Sequence, residues 1–186
     1  VKLLMQALQE SAFTDGLTGL YNRKFLEEHS KKLIPQAKRD NFNIGVLLLD
    51  MDHFKAVNDE YGHDIGDKVL KELSRILNET LRESDVIIRY GGEEFIVLLV
   101  NIKTEEDALN VANKIREKVK ENEIDVYAGS KLRKTISIGL SMFPDDSNNF
   151  DSVIKNADIA LYEAKSKGRD QVVRFTSESS SLVDIF

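Results

Sequence analysis

Arg89-Tyr90-Gly91-Gly92-Glu93-Glu94-Phe95 lies between two apolar, β-prone runs, residues 85–90 and 95–100. Gly-Gly in that setting predicts a hairpin, because tight primed turns need positive φ and glycine adopts it without steric cost. The unusual feature is the pair Glu93-Glu94 beside the turn. Adjacent carboxylates repel, and neither favours a strand. Successive strand side chains point to opposite faces, so the two are expected to divide. Glu93, nearest the turn, is expected to face a site, and Glu94 a structural partner.

Working outward, residues 43–49 form a continuous apolar run ending in Asp50-Met51-Asp52. Such runs mark strands buried on both faces. If that strand neighbours the hairpin, Asp50 and Glu93 converge. Oxygen donors without a His or Cys cluster favour Mg²⁺ or Mn²⁺ over zinc. A lone Asp at a strand end only solubilises it. Asp-x-Asp after an apolar run, with Glu-Glu at a tight turn, points to a metal.

Beyond the strand, a short helix is expected over residues 54–60. Asp64 is expected to cap a longer helix carrying Ile65, Val69, Leu73, Ile76 and Leu77 on one face. The loop between carboxylates and helix offers free backbone amides to a phosphate, and Lys55 adds a point charge. Asn58 and Asp67 carry an amide and a carboxylate able to read a base edge; guanine's N1 and N2 donors match a carboxylate. Taken alone, Asn58 and Asp67 read equally as turn residues.

Thr104 opens a further helix with acidic residues in its first turn. Residues 136–142 alternate apolar with small polar types and predict a half-buried strand stopping near Pro144. Residues 150–165 read as a helix ended by Gly168, and 171–175 as a last strand. Lys165 and Arg169, four apart at a helix end, could clamp phosphates together or simply complement the helix dipole. Arg82 and Asp85, three apart, read on residue types alone as a surface pair of little weight.

Near the amino end, residues 1–12 form a helix too short to stand alone, expected to be the tail of a longer coiled coil. Asn22 caps a helix bearing Phe25, Leu26, His29 and Leu33. Pro35 lies inside that pattern and predicts a kink or break near Ile34. Strands mixed with helices, one pair joined by a hairpin, give an α+β domain whose sheet is not all parallel.

The 186 residues suffice for one domain with a substantial core. With 32 acidic and 26 basic residues, the net charge of −6 argues against broad nucleic-acid binding. There is no cysteine, hence no disulfide framework and no thiolate metal site, which suits a cytoplasmic location. No apolar run approaches a membrane span. Val1 is not an initiator methionine, so the chain is expected to be cut from a longer protein, with an upstream sensory domain and any membrane anchor outside it.

These residues together resemble the GGDEF family, the diguanylate cyclases. Asp15-Gly16-Leu17-Thr18-Gly19-Leu20-Tyr21-Asn22-Arg23 resembles its amino-terminal signature. Asp50-Met51-Asp52-His53-Phe54-Lys55, Asn58-Asp59 and Gly62-His63 to Gly66-Asp67 resemble its nucleotide loop. Gly91-Gly92-Glu93-Glu94-Phe95 is similar to its name motif in the GGEEF form. Residues 158–165 with Gly168-Arg169 resemble its last helix. Single pieces are weak signals; together in this order they are very specific. The resemblance covers nearly everything from Asp15 to about Phe175. It leaves residues 1–14 as the end of a signalling helix and 176–186 as a tail.

The resemblance implies a palm-like, ferredoxin-related fold of nucleotide-cyclase type, with a mostly antiparallel sheet flanked by helices. It implies that two GTP condense to cyclic di-GMP with loss of two pyrophosphates, in a homodimer whose subunits each supply a half-site. By that likeness Asp50, the Met51 carbonyl and Glu93 hold Mg²⁺ or Mn²⁺, two ions per half-site, and Glu93 helps deprotonate the 3′-hydroxyl. Lys55 would stabilise charge on the phosphates, and Lys165 and Arg169 would hold the distal ones. Asn58 and Asp67 would read guanine, with Phe54 and His63 nearby. Arg82 and Asp85 match the family's inhibitory RxxD site for the product. Two rivals remain, a non-catalytic receptor for cyclic di-GMP or GTP and a cyclase giving a mononucleotide. The intact Asp50, Lys55 and Glu93 argue against the receptor.

Overall fold

A computed structural model describes residues 1–177; the expected tail, from 178 onward, lies outside the described residues. In chain order the elements are α1 (Lys2–Phe13), β1 (Tyr21–Asn22), α2 (Arg23–Asp40), β2 (Ile44–Met51), α3 (Phe54–Tyr61) and α4 (His63–Thr80). Then follow β3 (Val86–Arg89), β4 (Glu94–Val100), α5 (Glu105–Glu121), β5 (Ile124–Asp125) and β6 (Lys131–Leu132). The last are β7 (Ile136–Phe143), α6 (Phe150–Ser166) and β8 (Val172–Arg174).

The main sheet runs β1-β3-β4-β2-β7-β8. Its four inner strands pair antiparallel, and the short outer strands β1 and β8 add in parallel. The order β7-β2-β4-β3, with helices after β2 and β4, is the split βαβ plan of ferredoxin-like folds. The fold is therefore α+β with a mostly antiparallel sheet, as the sequence implied.

Strand periodicity sorts the core into two layers. Leu47, Leu49, Phe95, Val97, Leu99, Ile138 and Leu140 pack against α4 and α5. Val46, Leu48, Ile96 and Leu98 pack against α2 and α6 through Leu26, Leu33, Val153, Ala157 and Leu161. Because β2 is covered on both sides, every residue of it is buried.

Four local expectations need correction. The glycines of the hairpin do not use positive φ. Residues 90–93 make a wider connection, in which the N–H groups of Tyr90 and Gly91 both donate to the Glu94 carbonyl, at 2.8 and 3.2 Å. Pro35 does not break its helix: α2 runs on to Asp40. Pro35 is exposed, so the carbonyl it leaves unbonded can reach water, while buried Leu33 and Ala37 hold the turn down on either side. Asp64 is not the cap of α4; Gly62, at φ 89°, turns the chain there and Asp64 lies in the first turn. Finally, β7 is buried on both faces, not one. Its small residues face a helix: a Cβ at Gly139 would lie 2.1 Å from the Ala157 carbonyl oxygen and 2.4 Å from the Leu161 nitrogen. The alternation read as solvent-facing is the space into which α6 packs.

Candidate active site

The site forms where β2 ends. Asp50 continues the even-numbered face of β2, toward α6, and stands opposite Glu94 in the β2–β4 register. Its carboxylate accepts a hydrogen bond at Oδ2 from Lys165 of α6, while Oδ1 is buried with no partner. Burial pushes the Asp50 carboxyl above the usual range; Lys165 pulls it back and Asp52 pushes it further up.

Asp52 is different. Its Oδ1 accepts from Ser137 Oγ at 2.7 Å, and its Oδ2 from Thr135 Oγ1 at 2.7 Å and the Asp170 N–H at 3.1 Å. These bonds make it an anchor tying the end of β2 to β7 and to the turn after α6. Of the Asp-x-Asp pair, only Asp50 presents an unpartnered oxygen.

Glu93 shares a hollow of about 200 Å³ with Asp50, Met51, Lys55, Lys165 and Arg169. Burial raises its pKa first and the Asp50 charge raises it further, with Lys165 opposing. Glu94 is raised too, by burial, then by Asp50 and by Asp158 of α6. Three neighbouring carboxylates with raised pKa values make a local excess of negative charge that a cation would relieve.

Among the described residues no three His, Asp or Glu side chains converge into a ready-made ion cage. The oxygen-only set nevertheless fits a hard divalent ion: the Asp50 carboxylate with its orphaned Oδ1, the Glu93 carboxylate and the Met51 backbone carbonyl, with the remaining positions left for water or phosphate.

A second hollow of about 550 Å³ adjoins the first and shares Phe54, Lys55 and Glu93 with it. Asn58, His63 and Asp67 line it from α3 and α4. Asn58 Oδ1 is buried and without a partner. It has room only because residue 66 is glycine: a Cβ there would lie 1.9 Å from that oxygen. The left-handed turn at His53, φ 55°, lets the chain leave β2 and enter α3 directly beside the carboxylates.

Thus Asp50, Met51, Phe54, Lys55, Asn58, His63, Asp67, Glu93, Lys165 and Arg169 surround two joined hollows. Arg82 and Asp85 do not belong to them. They line a separate hollow of about 340 Å³ with Tyr21 and Asn78. Arg82 there donates to Asp85 Oδ1 at 3.0 Å and to the Val100 carbonyl at 3.0 Å.

Sequence reasoning passed over Arg89. Its guanidinium bonds both oxygens of Asp15 at 3.1 Å and the Gly92 carbonyl at 3.2 and 2.8 Å. The available signal was an arginine closing an apolar strand directly before Gly-Gly. Gly66 reads in the sequence only as part of a motif, and its steric role shows only in three dimensions.

A family model described as diguanylate cyclase, GGDEF domain, matches residues 12–171. Diguanylate cyclase A of Treponema denticola is 40% identical over 169 residues, covering 89% of this chain and 45% of that protein. The chain thus spans less than half of that relative's length. Among solved structures, the GGDEF domain of PA1120 (TpbB or YfiN) from Pseudomonas aeruginosa superposes with a TM-score of 0.88 at 32% identity, over 92% of this chain and 99% of that one. The coiled coil and GGDEF domain of DgcB from Caulobacter crescentus, solved with c-di-GMP, gives 0.85 at 28% identity, over 93% and 91%. With most of its length matched by that family model, and by these relatives along nearly the same stretch, the chain belongs to the GGDEF diguanylate cyclase family.

Proposed function

We propose that this domain is a GGEEF-type diguanylate cyclase, joining two GTP molecules into cyclic di-GMP with release of two pyrophosphates. The observation that carries the reading is the pair of buried, unpartnered oxygens, Asp50 Oδ1 and Asn58 Oδ1, beside two joined hollows. Orphaned buried polar atoms cost stability and call for a ligand. One oxygen suits a cation, the other a base-edge donor. The DgcB structure was solved with c-di-GMP, the product proposed for this chain.

In this reading guanine occupies the larger hollow, reading Asn58 and Asp67, with Phe54 and His63 beside it. The triphosphate occupies the smaller one, over the first amides of α3, with Lys55, Lys165 and Arg169 as its cations. Asp50, the Met51 carbonyl and Glu93 hold Mg²⁺ or Mn²⁺, two ions per half-site. When bound, the ions neutralise phosphate charge and lower the pKa of the attacking hydroxyl. Glu93, bordering the smaller hollow, is the group that takes that proton in this reading. Each 3′-oxygen forms a bond to the other nucleotide's α-phosphorus as the α–β bridging bond breaks and pyrophosphate leaves. The attacking hydroxyl comes from a second domain's GTP, so the active form is a homodimer facing itself across a two-fold axis. Product held at Arg82 and Asp85 restrains the domains from that encounter.

Incubation with GTP and Mg²⁺, followed by product mass, tests this. Cyclic di-GMP, formed at a rate rising faster than linearly with protein, is expected. No product from a verified dimer would replace the reading with a receptor, and a cyclic mononucleotide would replace it with a mononucleotide cyclase.

A further inference from the structure

The turn that carries Glu93 is built from the two most flexible residues the chain could use, so its position depends on the groups that grip it. Gly91 and Gly92 have no side chains to pack, and ordering them costs more backbone entropy than ordering any other residue. Within the turn, Tyr90 and Gly91 are bonded to Glu94, which closes its neck. The tip is held from outside by Arg89. Its Nε and one terminal nitrogen both donate to the Gly92 carbonyl, and the other terminal nitrogen bonds both oxygens of Asp15.

We propose that Arg89 is a positioning residue for Glu93, and that its grip is anchored in the junction that follows α1. The inference rests on the catalytic reading above. The Gly92 carbonyl and the Glu93 N–H belong to one rigid peptide plane. A two-pronged hold on that carbonyl fixes the plane and the Glu93 Cα; with Glu94 held in the β2–β4 pairing on the other side, the direction in which the Glu93 side chain leaves the backbone is set. Arg89 borders the larger hollow, but its guanidinium nitrogens are already committed to Gly92 and Asp15, so it acts through the turn and not on the nucleotide.

The anchor is itself well held. Asp15 also accepts from the Thr18 N–H at 2.9 Å and from Thr18 Oγ1 at 2.7 Å. Burial opposes ionisation of Asp15, but these bonds and Arg89 outweigh it and lower its pKa. The junction has a second hold on the same turn. Asn22 donates to the Ala12 carbonyl near the end of α1, at 2.9 Å, and the adjacent Arg23 stacks 3.9 Å over the Tyr90 ring. The chain just after α1 thus grips the turn on both sides of Gly91, through Tyr90 and through Gly92. A change in how α1 leaves the domain reaches Glu93 along this route.

The test uses Arg89→Lys, which keeps the charge but loses the fork, and Asp15→Asn, which weakens the anchor. Two measurements are made on each and on the parent. One is hydrogen–deuterium exchange across residues 90–94; the other is steady-state turnover of GTP. The proposal expects faster exchange in that segment for both variants, with β2 and β7 unchanged. It expects kcat to fall by about 10- to 100-fold for Arg89→Lys, the scale of a misplaced catalytic group. KM should stay within about threefold of the parent, since the guanine-reading and phosphate-holding groups are untouched. Asp15→Asn should show a smaller loss in the same parameter. Unchanged exchange at 90–94 overturns the clamp, and it does so even if the parent makes no cyclic di-GMP, which would overturn only the catalytic reading. A raised KM with kcat intact overturns it in favour of direct substrate contact. Loss of thermal midpoint with kcat per folded molecule unchanged reduces Arg89 to a structural brace.

Discussion

Asp50 and Asp85 each bury a carboxylate beside one basic side chain, at 4% and 1% side-chain exposure, and they end in opposite conditions. Asp85 is satisfied: Oδ1 accepts from Arg82 at 3.0 Å, and Oδ2 from the Arg82 backbone N–H at 2.9 Å. Asp50 has one oxygen on Lys165 and one on nothing, and its neighbours Glu93 and Glu94 add negative charge. The first corner is a finished piece of structure with an exposed arginine on its rim. The second is frustrated, and its frustration is what a cation and a triphosphate would relieve. Among the described residues, unmet polar valence, more than the presence of acids and bases, separates the candidate active site from the rest of the molecule.

The sharpest way to break this contrast is Glu93→Gln. Loss of a positioned acid–base group is expected to lower cyclic di-GMP formation by at least about 10²-fold. The same change removes a carboxylate whose ionisation burial and Asp50 oppose, so the unliganded protein should gain thermal stability. The pH dependence follows from the sign. A carboxylate whose folded pKa is raised holds its proton more tightly when folded, so stability rises as pH falls through the folded value toward the ordinary 4.5. Melting curves without divalent ion should show that rise in the parent, and a flatter profile in Glu93→Gln. A lower midpoint for the variant at neutral pH would count against the frustrated-cluster reading.

Gly66→Ala tests the other orphan. The added Cβ would drive Asn58 Oδ1 from its place, and loss of one hydrogen bond to the base costs about 1–3 kcal/mol. The expected result is weaker GTP binding by calorimetry with little change in kcat. Unchanged affinity would remove Asn58 from base reading.

The mildest change is expected at the satisfied corner. Arg82→Ala leaves Asp85 its backbone donor, so the stability cost should be about 1–2 kcal/mol after solvent screening of an exposed arginine. Turnover in the absence of product should stay within about twofold, since Arg82 lies outside both hollows of the candidate site. Inhibition by added cyclic di-GMP should weaken. If inhibition persists unaltered, the RxxD pair is only the structural corner it resembles.

Much of this was legible in the chain. The apolar run before Asp50 reads as a strand covered on both sides, and β2 is buried throughout. Asn22 and Thr104 cap helices as residue type and spacing imply. The ordered motifs identify the family, because turn residues, carboxylates and lysines recur at spacings that few folds need together. Less was legible where a residue's meaning depends on what packs against it. Ser137 and Gly139 look like a wet strand face until α6 lies on them. Asp50 and Asp52 are the same residue type two positions apart, and no local rule says which keeps an open oxygen.

Sequence alone determined the α+β class, the sites of the main strands and helices, and the identity of the acids, amides and cations that could serve a nucleotide. Those follow from periodicity and local chemistry, which act over a few residues. Tertiary structure alone decided that Ser137, Thr135 and the Asp170 N–H saturate Asp52 while Asp50 goes short. It alone decided that Arg89 reaches back to Asp15. These are contacts between residues far apart in the chain, and only folding brings their partners within bonding distance.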